Sequence, residues 1–388
     1  MAFQAPLRLL AAARPSVPVA LLLAIATSTA VFTATPFLLP SIADEFDISV
    51  GTAGLTSTTQ LAGFVVASWV GGRFLHPVRR VFVIGTLLGV AANALSALSP
   101  NFETLCALRF VSGLSLGLAA WIAWQAAFGN ASKTGDVAVV GPLVGTVSAP
   151  LVALMLEATG IRWLFAALAV VAAVPLIFTR QVPKVAPIRP HQTRHAPTRA
   201  ARVILVALCT LTLGGSAVFV YAAAIGTDLV GFSPFAVSLL FSANALAAIP
   251  SAKWTGRRGP AGLWFMMTAC CALGLSVARG QVVFGLALTL WGFFFFMAVP
   301  STFALLAERS NFPEERAGDA QAMMALGRVF GPLLGGAMIA AGSTTGLGIV
   351  TSSVMAFGGC LLLYVDRQRF VVARQFGLGP ARASVDAT

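Results

Sequence analysis

Two arginines, Arg109 and Arg328, are embedded in long apolar stretches. A guanidinium in hydrocarbon costs roughly 3 kcal/mol on insertion scales, so it survives where it faces a protein interior, a water-filled cavity or a polar partner. The chemistry open to such a cation is recognition of an anion or polar oxygen, or coupling of charge to a conformational change. Arg109 lies a few residues into its stretch, shallow enough that snorkelling to the interface is the alternative to an interior role. Arg328 lies roughly ten residues into its own, near mid-depth at about 1.5 Å per residue. Gln321, Met324, Gly331, Pro332 and Gly335 share its helical face. No Asp or Glu lies inside these stretches. Asp44, Glu45, Asp47, Glu103, Glu157 and Asp228 fall at one set of ends, and Asp136, Glu308, Glu314, Glu315 and Asp319 at the other. Trp121 and Trp124 are either substrate contacts or interface anchors. Gln60 and Asn244, with Thr27, Thr29, Thr33, Ser238 and Ser242, are polar candidates for lining a cavity, the plainer role of each being a bond to a backbone carbonyl. No nucleophile–base set, phosphate loop or ATP-binding motif is visible, so the sequence points away from an enzyme, and any pumping must draw on an ion gradient.

The stretches that position these residues follow from composition. The chain is 58% hydrophobic and 10% charged, with mean hydropathy +0.88. Soluble domains carry about 25% charged residues, so the solvent is largely lipid. Twelve apolar segments are expected, at 18–40, 50–71, 80–99, 104–127, 137–157, 162–179, 203–225, 233–252, 261–278, 282–306, 318–341 and 344–365. They must be helices, because only helices and closed barrels satisfy the backbone in lipid and these runs lack strand alternation. The basic leader 1–17 precedes a run too long for a signal-peptide core, which is expected to be an uncleaved first span. The stretch 180–202 carries six Lys and Arg, four prolines and no acid, the composition of a polar linker. It divides the chain into 1–179, the linker 180–202, and 203–388. The five cysteines all fall in apolar segments and no metal-ligand spacing occurs, so no disulfide, metal or cofactor is expected.

Charge sets the orientation. With the N-terminus cytoplasmic, 21 of the 25 Lys and Arg fall on the cytoplasmic side, the positive-inside pattern. The net charge of +12 is thus a topology signal and not a nucleic-acid footprint. The linker is read as a topology determinant, with binding of anionic lipid headgroups as the alternative.

The two halves repeat. Val137-x-x-x-Gly141-Pro142-Leu143-Val144-Gly145 and Gly327-x-x-x-Gly331-Pro332-Leu333-Leu334-Gly335 occupy corresponding segments. The loop Gly72–Arg80, with Arg79 and Arg80, corresponds to Ala252–Pro260, with Arg257 and Arg258. A missing backbone donor beside small residues permits a kink and close helix approach, serving either packing alone or a flexing element. Duplicated six-helix bundles are the plan of secondary transporters, whose substrate site lies between the repeats.

On these residues the chain resembles the major facilitator superfamily, and within it the twelve-helix drug–proton antiporters. The loop after the second segment resembles the superfamily's G-x-x-x-D-R-x-G-R-R signature. Arg109-x-x-x-Gly113-x-x-x-Gly117 resembles the motif whose arginine is linked to proton coupling. Gly141-Pro142 resembles the antiporter motif, and Thr35-Pro36-Phe37-Leu38-Leu39-Pro40 a further signature of the branch. The resemblance implies an all-α fold of two pseudo-symmetric six-helix bundles. It also implies proton-coupled efflux of a small organic molecule by a monomer of the inner or plasma membrane. Two departures stand out: His76 and Gly256 replace the loop aspartate that takes part in a charge relay between halves. An importer or uniporter of a sugar, nucleoside or organic anion is the alternative within transport, and a transport-inactive sensor or scaffold is the alternative outside it.

The charge distribution predicts that both termini and the 180–202 linker are cytoplasmic. Reporter fusions after residues 190 and 388 should both give cytoplasmic signals; an external signal at either point is incompatible with twelve spans in this orientation.

Overall fold

The computed structural model describes residues 17–127, 131–184, 195–252, 254 and 259–375. Among the described residues there is no strand, and each of the twelve expected segments is helical. The helices are α1 (Val19–Phe46), α2 (Leu55–Phe74), α3 (Arg79–Ser96) and α4 (Phe102–Ala127). A long helix, Ala131–Ala173, is broken at Gly160, whose φ of 78° a glycine tolerates without strain. The break separates α5 (131–159) from α6 (161–173), and α6 continues as a 3-10 turn, Val174–Gln181. Then follow α7 (Arg199–Phe219), α8 (Pro234–Ala252), α9 (Ala261–Val277), α10 (Gln281–Glu308), α11 (Pro313–Ala340) and α12 (Thr344–Gln375). Nine helices among the described residues are long and apolar enough to cross a membrane, and one of these, Val139–Gln181, contains two of the expected segments.

Several limits differ from the sequence-based ones for identifiable reasons. α1 was expected to stop at Pro40 but runs to Phe46, because each proline removes only its own donor. It stops where Asp47 adopts the left-handed conformation (φ 52°), its N–H donating to the Ala43 carbonyl. Before α2, a single turn Val50–Ala53 is capped by Ser49, whose hydroxyl accepts from the Thr52 N–H at 3.0 Å. α7 starts at Arg199, inside the stretch read as linker, because Thr198 caps it by accepting from Ala201 N–H at 3.1 Å.

The same helix pairings recur in both halves. α2 lies against α4 as α8 lies against α10, and α3 against α4 as α9 against α10. α1 lies against the α5–α6 helix as α7 lies against α11 and α12. The halves meet through α2 with α11 and through the α5–α6 helix with α8, again a symmetric pair. This is an arrangement of two pseudo-symmetric six-helix bundles.

Glycine sets the close contacts. A Cβ on Gly113 or Gly117 of α4 would collide with the Gln60 or Phe64 carbonyl of α2, and one on Gly292 of α10 with the Asn244 carbonyl of α8. On α11, Gly327, Gly331 and Gly335 sit on the Cys209, Leu213 and Ala217 carbonyls of α7. Lipid supplies no hydrophobic drive between helices, so close backbone approach through small residues supplies the packing energy instead.

The two Gly-Pro elements differ here. A Cβ on Gly331 would strike Ser216 Oγ and the Leu213 carbonyl, whereas one on Gly141 meets nothing nearer than Thr29 Oγ1 at 3.8 Å. The expectation that both allow close helix approach therefore holds at Gly331 and not at Gly141, where α1 presents side chains instead of bare backbone. Gly331→Ala should lower the thermal stability of the purified protein by about 1–3 kcal/mol, the usual overpacking cost. Gly141→Ala should melt like the parent; equal losses in both would contradict the difference in packing.

Candidate substrate site and gating contacts

Arg328 stands on the side of α11 opposite Leu326, Phe330 and Leu333, which are 45%, 51% and 38% exposed. Its own side is that of Gly331 and Gly335, which touch α7. The guanidinium therefore points away from the helix's outer apolar face and into the bundle. It is half-buried and makes no hydrogen bond or ion pair among the described residues. Met324, one turn away on this side, is in the core at 3% exposure. Gln321, two turns towards Pro313, is exposed, so the inner side of α11 meets solvent at that end.

Arg109 has a different setting. At 2% exposure, it excludes the snorkelling alternative. Its Nη2 donates to Asn93 Oδ1 at 3.0 Å, to Ser96 Oγ at 2.7 Å and, more weakly, to the Ala92 carbonyl at 3.4 Å. Asn93 Nδ2 is anchored on the Gly89 carbonyl at 2.8 Å, which turns its oxygen towards the arginine. The guanidinium carbon lies 4.6 Å from the centroid of the Phe165 ring, a cation–π distance. Arg109 is thus held among α3, α4 and α6 by neutral oxygens and an aromatic face, while its Nε and Nη1 are buried without a partner.

The remaining candidates resolve mostly into packing. Gln60 is buried with Nε2 unpartnered, and its carbonyl covers Gly113. Asn244 is its counterpart: its carbonyl covers Gly292 and its Nδ2 donates to the Leu288 carbonyl at 2.7 Å. Trp121 is buried on Gly71 of α2, whereas Trp124 is 43% exposed. Thr27, Thr29, Ser238 and Ser242 bond carbonyls, among them Thr146 of α5, which accepts from Ser242 across the halves at 2.7 Å. A Cβ on Gly145 would lie 3.4 Å from Ala245 of α8, and Pro142 is buried.

In the loop after α2, Arg79 Nε donates to the Val182 carbonyl at 3.0 Å and Nη2 to the Arg180 carbonyl at 2.6 Å. The position of the family's loop acid, His76, is exposed; backbone carbonyls hold Arg79 instead. Arg80 is exposed, and Arg257 and Arg258 lie outside the described residues.

One contact had no sequence signal. Tyr221, between α7 and the short helix Ala222–Asp228, is fully buried. Its hydroxyl donates to the Pro332 carbonyl at 2.9 Å, with the Gly51 carbonyl at 3.4 Å. Gly54, Gly335 and Gly336 make room for the ring. Phe37 of α1 and Phe241 of α8 meet with centroids 5.1 Å apart, and Phe219 adds to the stack at 5.1 Å. These contacts join the halves at the end bearing the α1–α2 turn. Asn93, Ser96 and Phe165 also escaped notice, since short polar residues and a lone aromatic in apolar segments are common.

The family described as the Major Facilitator Superfamily matches residues 20–326. Organic cation/carnitine transporter 7 of Arabidopsis thaliana is 31% identical over 151 residues, 37% of this chain and 30% of that protein. The galactose-proton symporter of Escherichia coli K12 is 34% identical over 87 residues, 22% of this chain and 19% of that protein. The matched regions thus span less than a third of either relative's length. Among solved structures, the human organic anion transporter MFSD10 (TETRAN) superposes with a TM-score of 0.66 at 16% identity, covering 90% of this chain and 100% of that one. The nucleoside transporter NupG does so with a TM-score of 0.68 at 12% identity, covering 90% and 99%. At such identities the likeness is one of fold.

The Arg109 environment makes a prediction that separates charge from volume. Arg109→Met keeps most of the volume and removes an incompletely paired buried cation, so melting of the purified protein should match or exceed the parent. Arg109→Ala empties the space between Asn93, Ser96 and Phe165 and should cost about 3 kcal/mol. Equal destabilisation by both would show that the charge itself holds the bundle together.

Proposed function

The chain belongs to the Major Facilitator Superfamily of membrane transporters, and from that premise we propose that it carries a neutral or anionic small organic molecule by proton-coupled secondary transport. The observation that carries this is Arg328: an inward-facing cation with no acidic partner among the described residues, on the helix where the two halves meet. No Asp or Glu is buried among the described residues, so a cationic substrate would meet repulsion with nothing to offset it. A carboxylate or polar oxygen of the substrate completes the hydrogen bonding that the protein leaves open on the guanidinium. The solved structures sharing this fold are an organic anion and a nucleoside transporter, compatible with an anionic or neutral cargo, whereas the Arabidopsis relative is named for organic cations and carnitine.

The direction we propose is export from the cytoplasm, resting on the Gly141-Pro142 motif. The similarity to a galactose-proton symporter favours a second reading, symport of a neutral polar solute with protons. The positive-inside pattern supports an orientation with both termini and the 180–202 linker cytoplasmic, one bundle on either side of that linker, in an inner or plasma membrane. In that orientation the contacts of Tyr221 would join the halves at the outer end. The coupling ion is proposed to be the proton, and the working unit a monomer.

Proteoliposome flux with and without a pH gradient tests the class and direction, using candidate anions and neutral solutes found by comparing metabolites of cells with and without the gene. Arg328→Ala should reduce flux by roughly tenfold or more, the scale of one charged hydrogen bond, while the protein stays folded, since no partner is orphaned. Arg328→Lys should recover only part, because the two-pronged guanidinium is lost. Robust transport of a lipophilic cation, unchanged in Arg328→Ala, would falsify the assignment of substrate charge.

A further inference from the structure

At the start of α3 the structure holds an outward-opening cavity of about 580 Å³ lined by Arg79, Arg80, Val83, Ile84 and Lys184. Every polar side chain in this lining is cationic. Arg79 is fixed there by the Arg180 and Val182 carbonyls, which orient its guanidinium without neutralising it. Arg80 and Lys184 are exposed and form no ion pair with any described residue. The sequence that follows, 185–194, contains Arg189 and Arg194 and no acid.

The rest of the lining is apolar and continues as a stripe. From Arg80 onward α3 turns Ile84, Leu87, Leu88 and Leu95 outward, at 48%, 50%, 37% and 52% exposure. Such a stripe on a membrane-spanning helix is the surface that meets acyl chains. Three cations in one cavity at its end match a phosphate group, and the stripe beside them matches a hydrocarbon chain. We propose that this cavity binds the headgroup of an anionic phospholipid, with an acyl chain lying along Val83, Ile84 and Leu87. A zwitterionic lipid offers the same phosphate but brings a cation into a wholly positive cavity, so the site discriminates in favour of net negative charge. Free phosphate shares the headgroup chemistry and gains nothing from the apolar wall. The site is independent of what Arg328 binds and is read without measuring transport.

The test is native mass spectrometry of the full-length protein in neutral detergent, titrated with phosphatidylglycerol or phosphatidylcholine, each with and without inorganic phosphate. The wild type should retain one phosphatidylglycerol in preference to phosphatidylcholine, and phosphate should displace it only weakly. Each exposed cation near a membrane surface is worth about 1 kcal/mol, close to a five-fold change in affinity. The double variant Arg80→Gln/Lys184→Gln should therefore bind phosphatidylglycerol roughly 25-fold more weakly, and Arg80→Lys should stay close to wild type. If the double variant fails to fold, the single variants carry the test, each with about a five-fold loss. Undiminished preference in the Gln variants, or no preference for phosphatidylglycerol in the wild type, overturns the site. Displacement by inorganic phosphate as effective as by excess lipid overturns the lipid as its occupant.

Discussion

Backbone meeting backbone is the contact on which this molecule depends. In lipid, apolar side chains gain little by leaving the solvent for a neighbouring helix, so the bundles cannot be held by burial alone. They are held where glycine lets one helix lie directly on the carbonyls of another. Gly113 and Gly117 do this between α4 and α2, Gly292 between α10 and α8, and Gly327, Gly331 and Gly335 between α11 and α7. The carbonyls of Gln60 and Asn244 occupy equivalent places in the two halves. The repeat therefore reaches down to individual backbone atoms, although few side chains correspond.

The contacts between the halves are of another kind. Ser242 bonds a single carbonyl of α5, Phe37 touches Phe241, and Tyr221 bridges α11 and the turn before α2 through one hydroxyl. Each can be broken without opening a bundle, whereas the glycine seams within a bundle cannot. Gly51 and Gly336 do meet across the halves, but only at the end where Tyr221 also sits. Glycine seams within the halves, with side-chain contacts along α2–α11 and α5–α8 between them, are an arrangement that permits relative motion of two rigid bodies. The looser fit at Gly141, between α1 and α5, is the exception inside a bundle, and it lies on the helix that also faces α8.

Much of the fold was legible because lipid imposes length and hydropathy on every span. All twelve segments were found, and the errors fall at their ends, where local caps decide. Asp47 and Thr198 act through φ angles and single hydrogen bonds that leave no trace in hydropathy. The candidate site was legible in part. Arg109 and Arg328 were conspicuous because charge in an apolar run is rare. Their difference was not, because it depends on neighbours distant in sequence: Asn93, Ser96 and Phe165 surround one, and no hydrogen-bond partner among the described residues meets the other. Tyr221 was invisible for the same reason. A tyrosine at the end of an apolar segment reads as an interface anchor, and only the seat made by Gly51, Gly54, Gly335 and Gly336 reveals a buried bridge.

The two arginines show how one cost is met in two ways. Arg109 is surrounded by oxygens and a ring from its own half, so its environment can remain the same whatever the halves do relative to each other. Its remaining unpartnered nitrogens are a residual cost that the surrounding rigid packing sustains. Arg328 has no such shell, and it projects inward from α11, the helix that touches both α7 and α2. A cation enclosed by its own half is out of a ligand's reach, whereas one lacking that enclosure gains the more from a ligand oxygen as water is excluded around it. The arginine that contributes less to the resting structure is therefore the one whose environment can change with a bound molecule, and the buried Arg109 is best understood as part of the frame that keeps α3, α4 and α6 together while it does.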